Sequence, residues 1–350
     1  MNVLVLLTTS ILALIFLIIH SYLFRGARLT INFFTFAFIW AFMKETTIRY
    51  FILLPPPYEF VNNRIPIIFR VVIATIGWLF SFYLAWSLAE RAIKRVKYFQ
   101  DSLFAVFLLS GVIIASISYC IETTGIAVGW WHWIKTETRY MSDCFVGISP
   151  FVLAIWAFFG MHFLLPFFLI ECSKFKKTYW KCIFFIIAFI RDWIHRFSGP
   201  GLTMALEMWF IIGLLFFLSL VRPLKLEYYS QGAEMPIGRF KFNRNTLETL
   251  DQIPIFASLF MLLILIIIDI YILHKPELLI SCLPMVFFIL LAIDKIPLLW
   301  LVFVAFRLIL TFEKKFIITT IPIITILIFQ AFSWIKENFN PRFALPRKEF

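Results

Sequence analysis

The chain has 350 residues, of which 62% are hydrophobic, 19% aromatic and only 15% charged, and its mean hydropathy is +0.93. Soluble domains are roughly half apolar, so this composition excludes a water-soluble globular protein and indicates a polytopic membrane protein. The formal net charge of +12 would suggest a nucleic-acid partner in a soluble chain, but here the basic residues border apolar stretches, where membrane orientation and contact with anionic lipid account for them.

Apolar stretches close to the ~20 residues that cross a ~30 Å hydrocarbon core recur at 3–24, 31–53, 66–89, 103–122, 146–170, 179–197, 202–221, 253–273, 277–293, 296–311 and 316–335. The expected fold is all-α, a polytopic transmembrane bundle of about 10–11 spans. The first stretch is followed, not preceded, by its nearest positive charges, Arg25 and Arg28, so it reads as a retained helix rather than a cleaved signal. Basic residues cluster at Arg91, Lys94, Arg95 and Lys97, at Lys174, Lys176, Lys177 and Lys181, and at Arg222, Lys225, Arg239, Lys241 and Arg244. These are alternate loops, so the positive-inside rule places the N-terminus outside and the C-terminus in the cytoplasm of a cell (plasma) membrane protein. Three parts follow: a front helical block at 1–222, a polar cytoplasmic loop at 223–252 and a C-terminal helical block at 253–350.

The front block contains an internal echo. Lys44-Glu45-Thr46-Thr47 is followed by Pro55-Pro56-Pro57-Tyr58-Glu59-Phe60, and Ile121-Glu122-Thr123-Thr124 by Gly129-Trp130-Trp131-His132-Trp133. Each acid closes an apolar run, each aromatic loop follows, and Ile65-Pro66 or Ser149-Pro150 leads into a further apolar run containing Trp78 or Trp156. The pattern predicts a parallel repeat of helix–loop–helix units, 31–89 and 103–170, related by an axis near the membrane normal. A more eroded third copy is suggested at Asp192.

Ionisable groups in membrane helices cost roughly 2.5–3.5 kcal/mol at the centre and therefore face a cavity or a partner. The candidates are Glu45, Glu122, Asp192, Glu207 and Asp269. For Glu45 and Glu122 the alternatives are a helix-end carboxylate that reaches interfacial water or pairs with Lys44 or Arg49, and an acid/base dyad. In a partly dry site one carboxyl holds a proton to donate while a better solvated partner accepts one. Such a dyad suits proton-driven addition of water to an olefin. Tyr58, Trp130, Trp131 and Trp133 are the candidate substrate-binding rings, whose faces can stabilise a developing cation by about 0.5–2 kcal/mol each; interfacial anchoring is the alternative for any one of them. His132 is a candidate proton shuttle, or simply bonds a loop carbonyl.

No Cys-x-x-Cys or His-x-x-x-His spacing supports a metal site, and no P-loop, Gly-x-Gly-x-x-Gly, His-Glu-x-x-His or Gly-x-Ser-x-Gly is found. The expected chemistry is therefore free of metal and cofactor. Cys120 and Cys144 are close enough to the same face for a pairing, or are packed free thiols. Gly125-x-x-x-Gly129 matches a helix-packing pattern but straddles a predicted helix end.

His20-Ser21 with Arg25-Gly26 before a Phe-rich helix, Glu45 at its end, Pro57-Tyr58-Glu59-Phe60, Ile65-Pro66 leading to Gly77-Trp78, and Glu122 ahead of Gly129-Trp130-Trp131-His132-Trp133 together resemble the membrane carotenoid-biosynthesis family that includes bisanhydrobacterioruberin hydratase and gamma-carotene hydratase. The resemblance covers roughly residues 15–170. It implies a multi-helix enzyme, a hydratase of the lyase class, adding water to the terminal double bond of a long isoprenoid or carotenoid. Membrane lipids are the other expected contacts, and membrane protein partners suit the C-terminal spans that the resemblance leaves out. The competing expectation is a non-catalytic integral membrane subunit of a larger complex. A transporter ranks lowest, because it would call for inverted repeats with helices broken at mid-membrane.

Overall fold

The computed structural model describes residues 3–50, 58–60, 67–94, 102–133, 150–171 and 244–293. Helices α1 (Val3–Arg25) and α2 (Ala27–Tyr50) are separated only by Gly26, whose φ of 83° breaks the helix in one residue. Then follow β1 (Tyr58–Phe60), α3 (Ile67–Lys94), α4 (Leu103–Val128), β2 (Trp131–Trp133) and α5 (Pro150–Glu171). The C-terminal described part is a short helix α6 (Arg244–Asp251), then α7 (Ile253–Ile267) ending in a π-helical turn over Ile268–Ile272, a 3₁₀ segment Pro276–Cys282 and α8 (Leu283–Ile293).

Among the described residues, four helical stretches are long and apolar enough to cross a membrane: Ile67–Ile93, Leu103–Val128, Ile253–Ile272 and Pro276–Ile293. The distribution of apolar side chains agrees with burial in lipid. On α1, Ile11, Leu12, Ile15, Phe16 and Ile19 are exposed at helical spacing, and on α7 the same is true of Phe256, Leu259, Phe260, Leu263 and Ile267. Stripes of this size are costly in water and cost little against hydrocarbon. The chain is therefore an integral membrane protein.

Helix α4 is apolar around most of its circumference, the mark of a central helix, and it packs against α3, α5, α8 and the 3₁₀ segment. Two glycines let α5 approach it closely: a Cβ on Gly111 would collide with Met161, and one on Gly160 with Ile114. Around Phe33 an aromatic core forms from Tyr83, Trp86, Phe163 and Phe167, with ring centroids 5.1–5.5 Å from the Phe33 ring. One continuous core runs from these residues to Ile255, Leu262, Met285 and Phe288 of the C-terminal helices.

The structure corrects some expected boundaries. Helix α4 continues to Val128, past the expected end at 122, so Glu122 lies within the helix rather than at its end. Its apolar run stops at Glu122, but the helix does not. The Thr123 hydroxyl is accommodated inside it by donating to the Tyr119 carbonyl, and the stop signal comes only at Gly129. There φ is 75°, the Gly129 N–H bonds to Ile126 O at 3.0 Å and the Trp130 N–H to Gly125 O at 2.9 Å, a Schellman closure. The described residues are otherwise helical, as an all-α fold requires, and a two-stranded ribbon of three residues each is the one addition among them: β1 and β2 pair antiparallel, Tyr58 with Trp133, Glu59 with His132 and Phe60 with Trp131. The expected spans at 179–197, 202–221, 296–311 and 316–335, the loop residues 223–243 and Cys144 lie outside the described residues.

At the bundle end away from the ribbon, α1, α3 and α6 share a buried polar network. Arg25 donates to Glu90 at 2.6 Å, to Tyr83 Oη at 3.1 Å and to Ser87 Oγ at 3.2 Å, and its guanidinium lies 3.8 Å from the centre of the Trp86 ring. Arg91 pairs with Asp251 at 2.6 Å, and His20 Nε2 approaches the same carboxylate at 3.7 Å. Burial pushes the Asp251 carboxyl up, but His20 and Arg91 outweigh it and hold it below the usual carboxylate value. The stabilisation this clasp gives is present above the ordinary carboxylate range and is lost as pH falls through that lowered value.

Candidate functional site

Both repeated glutamates lie toward the ribbon end, Glu45 five residues before the end of α2 and Glu122 six before the end of α4. Both are buried, Glu45 fully and Glu122 with 3% exposure. That placement answers one alternative raised by the sequence, since neither carboxylate reaches out into interfacial water.

Each acid is held by a tryptophan from the next helix. Trp78 Nε1 of α3 donates to Glu45 Oε1 at 2.9 Å, and Trp156 Nε1 of α5 donates to Glu122 Oε1 at 2.8 Å. The separations along the chain are 33 and 34 residues. The two indoles then meet, their ring centroids 4.2 Å apart and their planes inclined by 36°. Glu45, Trp78, Trp156 and Glu122 thus form one continuous chain of contacts across α2, α3, α5 and α4. These hydrogen bonds offset part of the cost of burying two carboxyl groups in this apolar setting.

The two acids differ in their remaining partners. Glu122 Oε2 accepts a second indole N–H, from Trp131, at 2.7 Å. Glu45 has Lys44 Nζ 3.5 Å from Oε1. The Lys44 ammonium lies 3.7 Å from the centre of the Trp78 ring and 4.0 Å from that of Phe159, so these faces already hold a cation inside the bundle.

Trp131 reaches Glu122 because the Schellman turn folds the chain back over the last turn of α4, where Gly125 leaves room for the indole. A Cβ at Gly125 would collide with the Trp131 ring. The Gly125-x-x-x-Gly129 pair is thereby explained as an indole seat and a helix stop, not as a helix-packing stripe. Gly125→Ala should destabilise the detergent-solubilised protein by about 1–3 kcal/mol, the usual cost of overpacking. Gly77→Ala, where an added Cβ meets nothing within 4 Å, should be neutral or stabilising by up to about 1 kcal/mol. Thermal unfolding of the two variants checks the contrast.

Of the candidate substrate-binding rings, Trp130 and Trp131 sit together with centroids 5.9 Å apart. Tyr58, His132 and Trp133 are placed by the ribbon backbone, and their side chains lie outside the described residues. Asp269 is fully buried on the π-helical turn and accepts the Thr124 hydroxyl at 3.0 Å. Thr124 is two residues from Glu122, about 200° around the helix, so Asp269 secures another face of α4 and does not join the dyad. Cys120 donates to the carbonyls of Ser116 and Ser281, and Asp192 and Glu207 lie outside the described residues.

Trp78, Trp156 and Lys44 are the members of this site that candidate selection from sequence passed over. The near-equal Glu-to-Trp spacing was the available signal for the two indoles. Among the described residues no group of three or more His, Cys, Asp or Glu side chains is arranged to hold a metal ion. Comparison with known families, curated proteins and solved structures finds no match to this chain.

The arrangement can do acid–base chemistry on an apolar molecule. It offers two carboxylates in different surroundings, electron-rich ring faces close to both, and little room for bulk water.

Proposed function

We propose that the protein is a membrane enzyme of the carotenoid-hydratase type, adding water to a terminal double bond of a long isoprenoid. Glu122 donates the proton that generates a tertiary cation, indole faces stabilise that cation, and Glu45 draws the proton from the water that captures it. Trp131, bonded to Glu122 and in ring contact with Trp130, starts the substrate-binding surface in this reading, which also assigns Tyr58 and Trp133 to substrate binding and His132 to proton transfer. The single observation that carries the reading is the buried pair of carboxylates, each anchored by one indole, with the two indoles in contact.

The reading includes a parallel repeat of the 31–89 and 103–170 units about the membrane normal. It is supported by the antiparallel pairing of β1 with β2, centred on Glu59 and His132, which is the pairing a two-fold axis generates between equivalent strands, and by the matched Glu–Trp bonds. The test of function is extraction of pigments from a polyene-producing host expressing the protein, with the expected product heavier by one water.

Orientation follows from the basic loops: the ribbon faces outward, and Arg91 to Lys97 face the cytoplasm. A single cysteine at position 94 should be protected from an impermeant thiol reagent in sealed right-side-out vesicles and labelled in inverted ones. Labelling in the opposite sense reverses the topology.

A second reading, a non-catalytic subunit of a membrane complex, is favoured by one observation: both carboxylates already have protein donors. In that case the dyad is a staple between helices. A folded protein that hydrates no polyene supplied to it would establish this second reading.

A further inference from the structure

The C-terminal helices meet one side of α4 along a polar seam. Cys120 and Thr124, four residues apart and so on the same side of the helix, both serve it. The Thr124 hydroxyl donates to Asp269 at 3.0 Å, and the Cys120 thiol donates to the carbonyl of Ser281 at 3.2 Å. The residue after that carbonyl is Cys282. Its thiol lies within hydrogen-bonding reach of the Cys120 thiol. Both cysteines are free and both are buried, Cys120 fully and Cys282 with 3% exposure. Sequence position alone suggests Cys144 as the neighbour of Cys120, whereas the fold brings Cys282 there from the C-terminal helices.

The two thiols are held differently. Cys120 sits inside α4, and its S–H has a second acceptor in the Ser116 carbonyl at 3.2 Å. Cys282 closes the 3₁₀ segment Pro276–Cys282, a form with poorer hydrogen-bond geometry than an α-helix. The turn leading into that segment is exposed from His274 to Glu277, and His274 stands at φ 53°, a left-handed conformation uncommon for a residue with a side chain. Cys120 lies eight residues before the end of α4 at Val128, about 12 Å along the helix axis. The pair is therefore inside the apolar part of the span and not at its rim.

We propose that Cys120 and Cys282 form a site of reversible oxidation, closing to a disulfide when a lipid-soluble two-electron acceptor of the quinone class is supplied. Two S–H bonds break and one S–S bond forms, while two electrons and two protons pass to the quinone, which leaves as the quinol. A small dithiol reverses the step by exchange and ends as its own disulfide. The depth of the pair selects the acceptor: a charged disulfide from water would have to enter an apolar bundle, whereas a quinone partitions into the same hydrocarbon. Local opening of the 3₁₀ segment admits it. The closed bridge fastens α4, which carries Glu122, to the C-terminal helices. None of this depends on the hydratase reading, because the state of the thiols is measured without turnover.

The experiment treats membranes containing the full chain with a fully substituted benzoquinone, which leaves no ring position open to thiol addition, or with oxidised glutathione. The protein is then denatured in acid, its remaining thiols are alkylated, and its peptides are weighed. The quinone should give a peptide linked through Cys120 and Cys282, two hydrogens lighter than its separate parts and reverted by dithiothreitol. Oxidised glutathione should leave both thiols open to alkylation. In detergent the oxidised protein should unfold at a higher temperature than the reduced one, since the bridge closes a long loop, and Cys120→Ser should abolish that difference. If Cys120→Ser does not accumulate in a folded form, the linked peptide of the wild type decides the matter alone. Alkylation of both thiols after quinone treatment overturns the site, as does linkage of Cys120 to Cys144 or to any other cysteine. Linkage by oxidised glutathione as fast as by the quinone overturns the choice of acceptor, and equal unfolding temperatures of the oxidised and reduced forms overturn the fastening.

Discussion

Glu122→Gln should abolish hydration of the polyene while leaving the folded protein in the membrane. The amide keeps the size of the carboxyl, and its oxygen still accepts an indole N–H from Trp156 or Trp131, which donate at 2.8 and 2.7 Å in the native site. What it cannot do is give up a proton to an olefin. General acid–base groups contribute about 10²–10⁴-fold, and loss of the acid belongs at the upper end because nothing else in the proposed scheme starts the reaction. Glu45→Gln should lower turnover within the same ~10²–10⁴-fold range, since the cation still forms but its capture by water is unassisted. Mass analysis of extracted pigments measures both. Full activity in both variants would remove the two carboxylates from the chemistry.

The largest expected effect on stability is at the opposite end of the bundle. The side chains of Arg25 and Glu90 are each 5% exposed and lie 2.6 Å apart, and the guanidinium also bonds Tyr83 and Ser87 and covers Trp86. Removing one partner of such a pair leaves a buried charge uncompensated, at a cost of about 3–5 kcal/mol. Arg25→Met should therefore lower the thermal unfolding temperature sharply. The double variant Arg25→Met/Glu90→Leu should recover most of the loss, because well-packed apolar residues often replace a buried ion pair at little or no cost. Equal destabilisation by the single and double variants would show that Arg25 acts through its stacking on Trp86 and not through its charge.

The membrane-embedded helical architecture was legible because length and hydropathy alone select it: the starts and ends of α1, α3 and α7 fall within a few residues of the apolar stretches. The end of α4 was not, since an apolar run stops at Glu122 whereas a helix stops where its carbonyls find other partners, here at Gly129. The ribbon escaped notice for a related reason. Three-residue strands carry too little pattern to register, and their pairing depends on two loops 73 residues apart meeting in space. Glu45 and Glu122 stood out by sequence context, but their partners did not. Trp78 and Trp156 read as members of apolar helices, and only the fold reveals that their indole N–H groups point at the acids. Lys44 read as a local pair for Glu45, which it is; its seat between Trp78 and Phe159 required three helices to be placed together.

The central claim is that the dyad adds water to a polyene, and the most direct measurement supplies the purified protein with a long isoprenoid carrying a terminal double bond in water labelled with heavy oxygen. The account predicts one labelled tertiary hydroxyl per product molecule with the wild type and none with Glu122→Gln at matched amounts of folded protein. A wild-type protein that stays folded and places no labelled oxygen on the isoprenoid, or a Glu122→Gln variant that labels it as fast as the wild type, would contradict it.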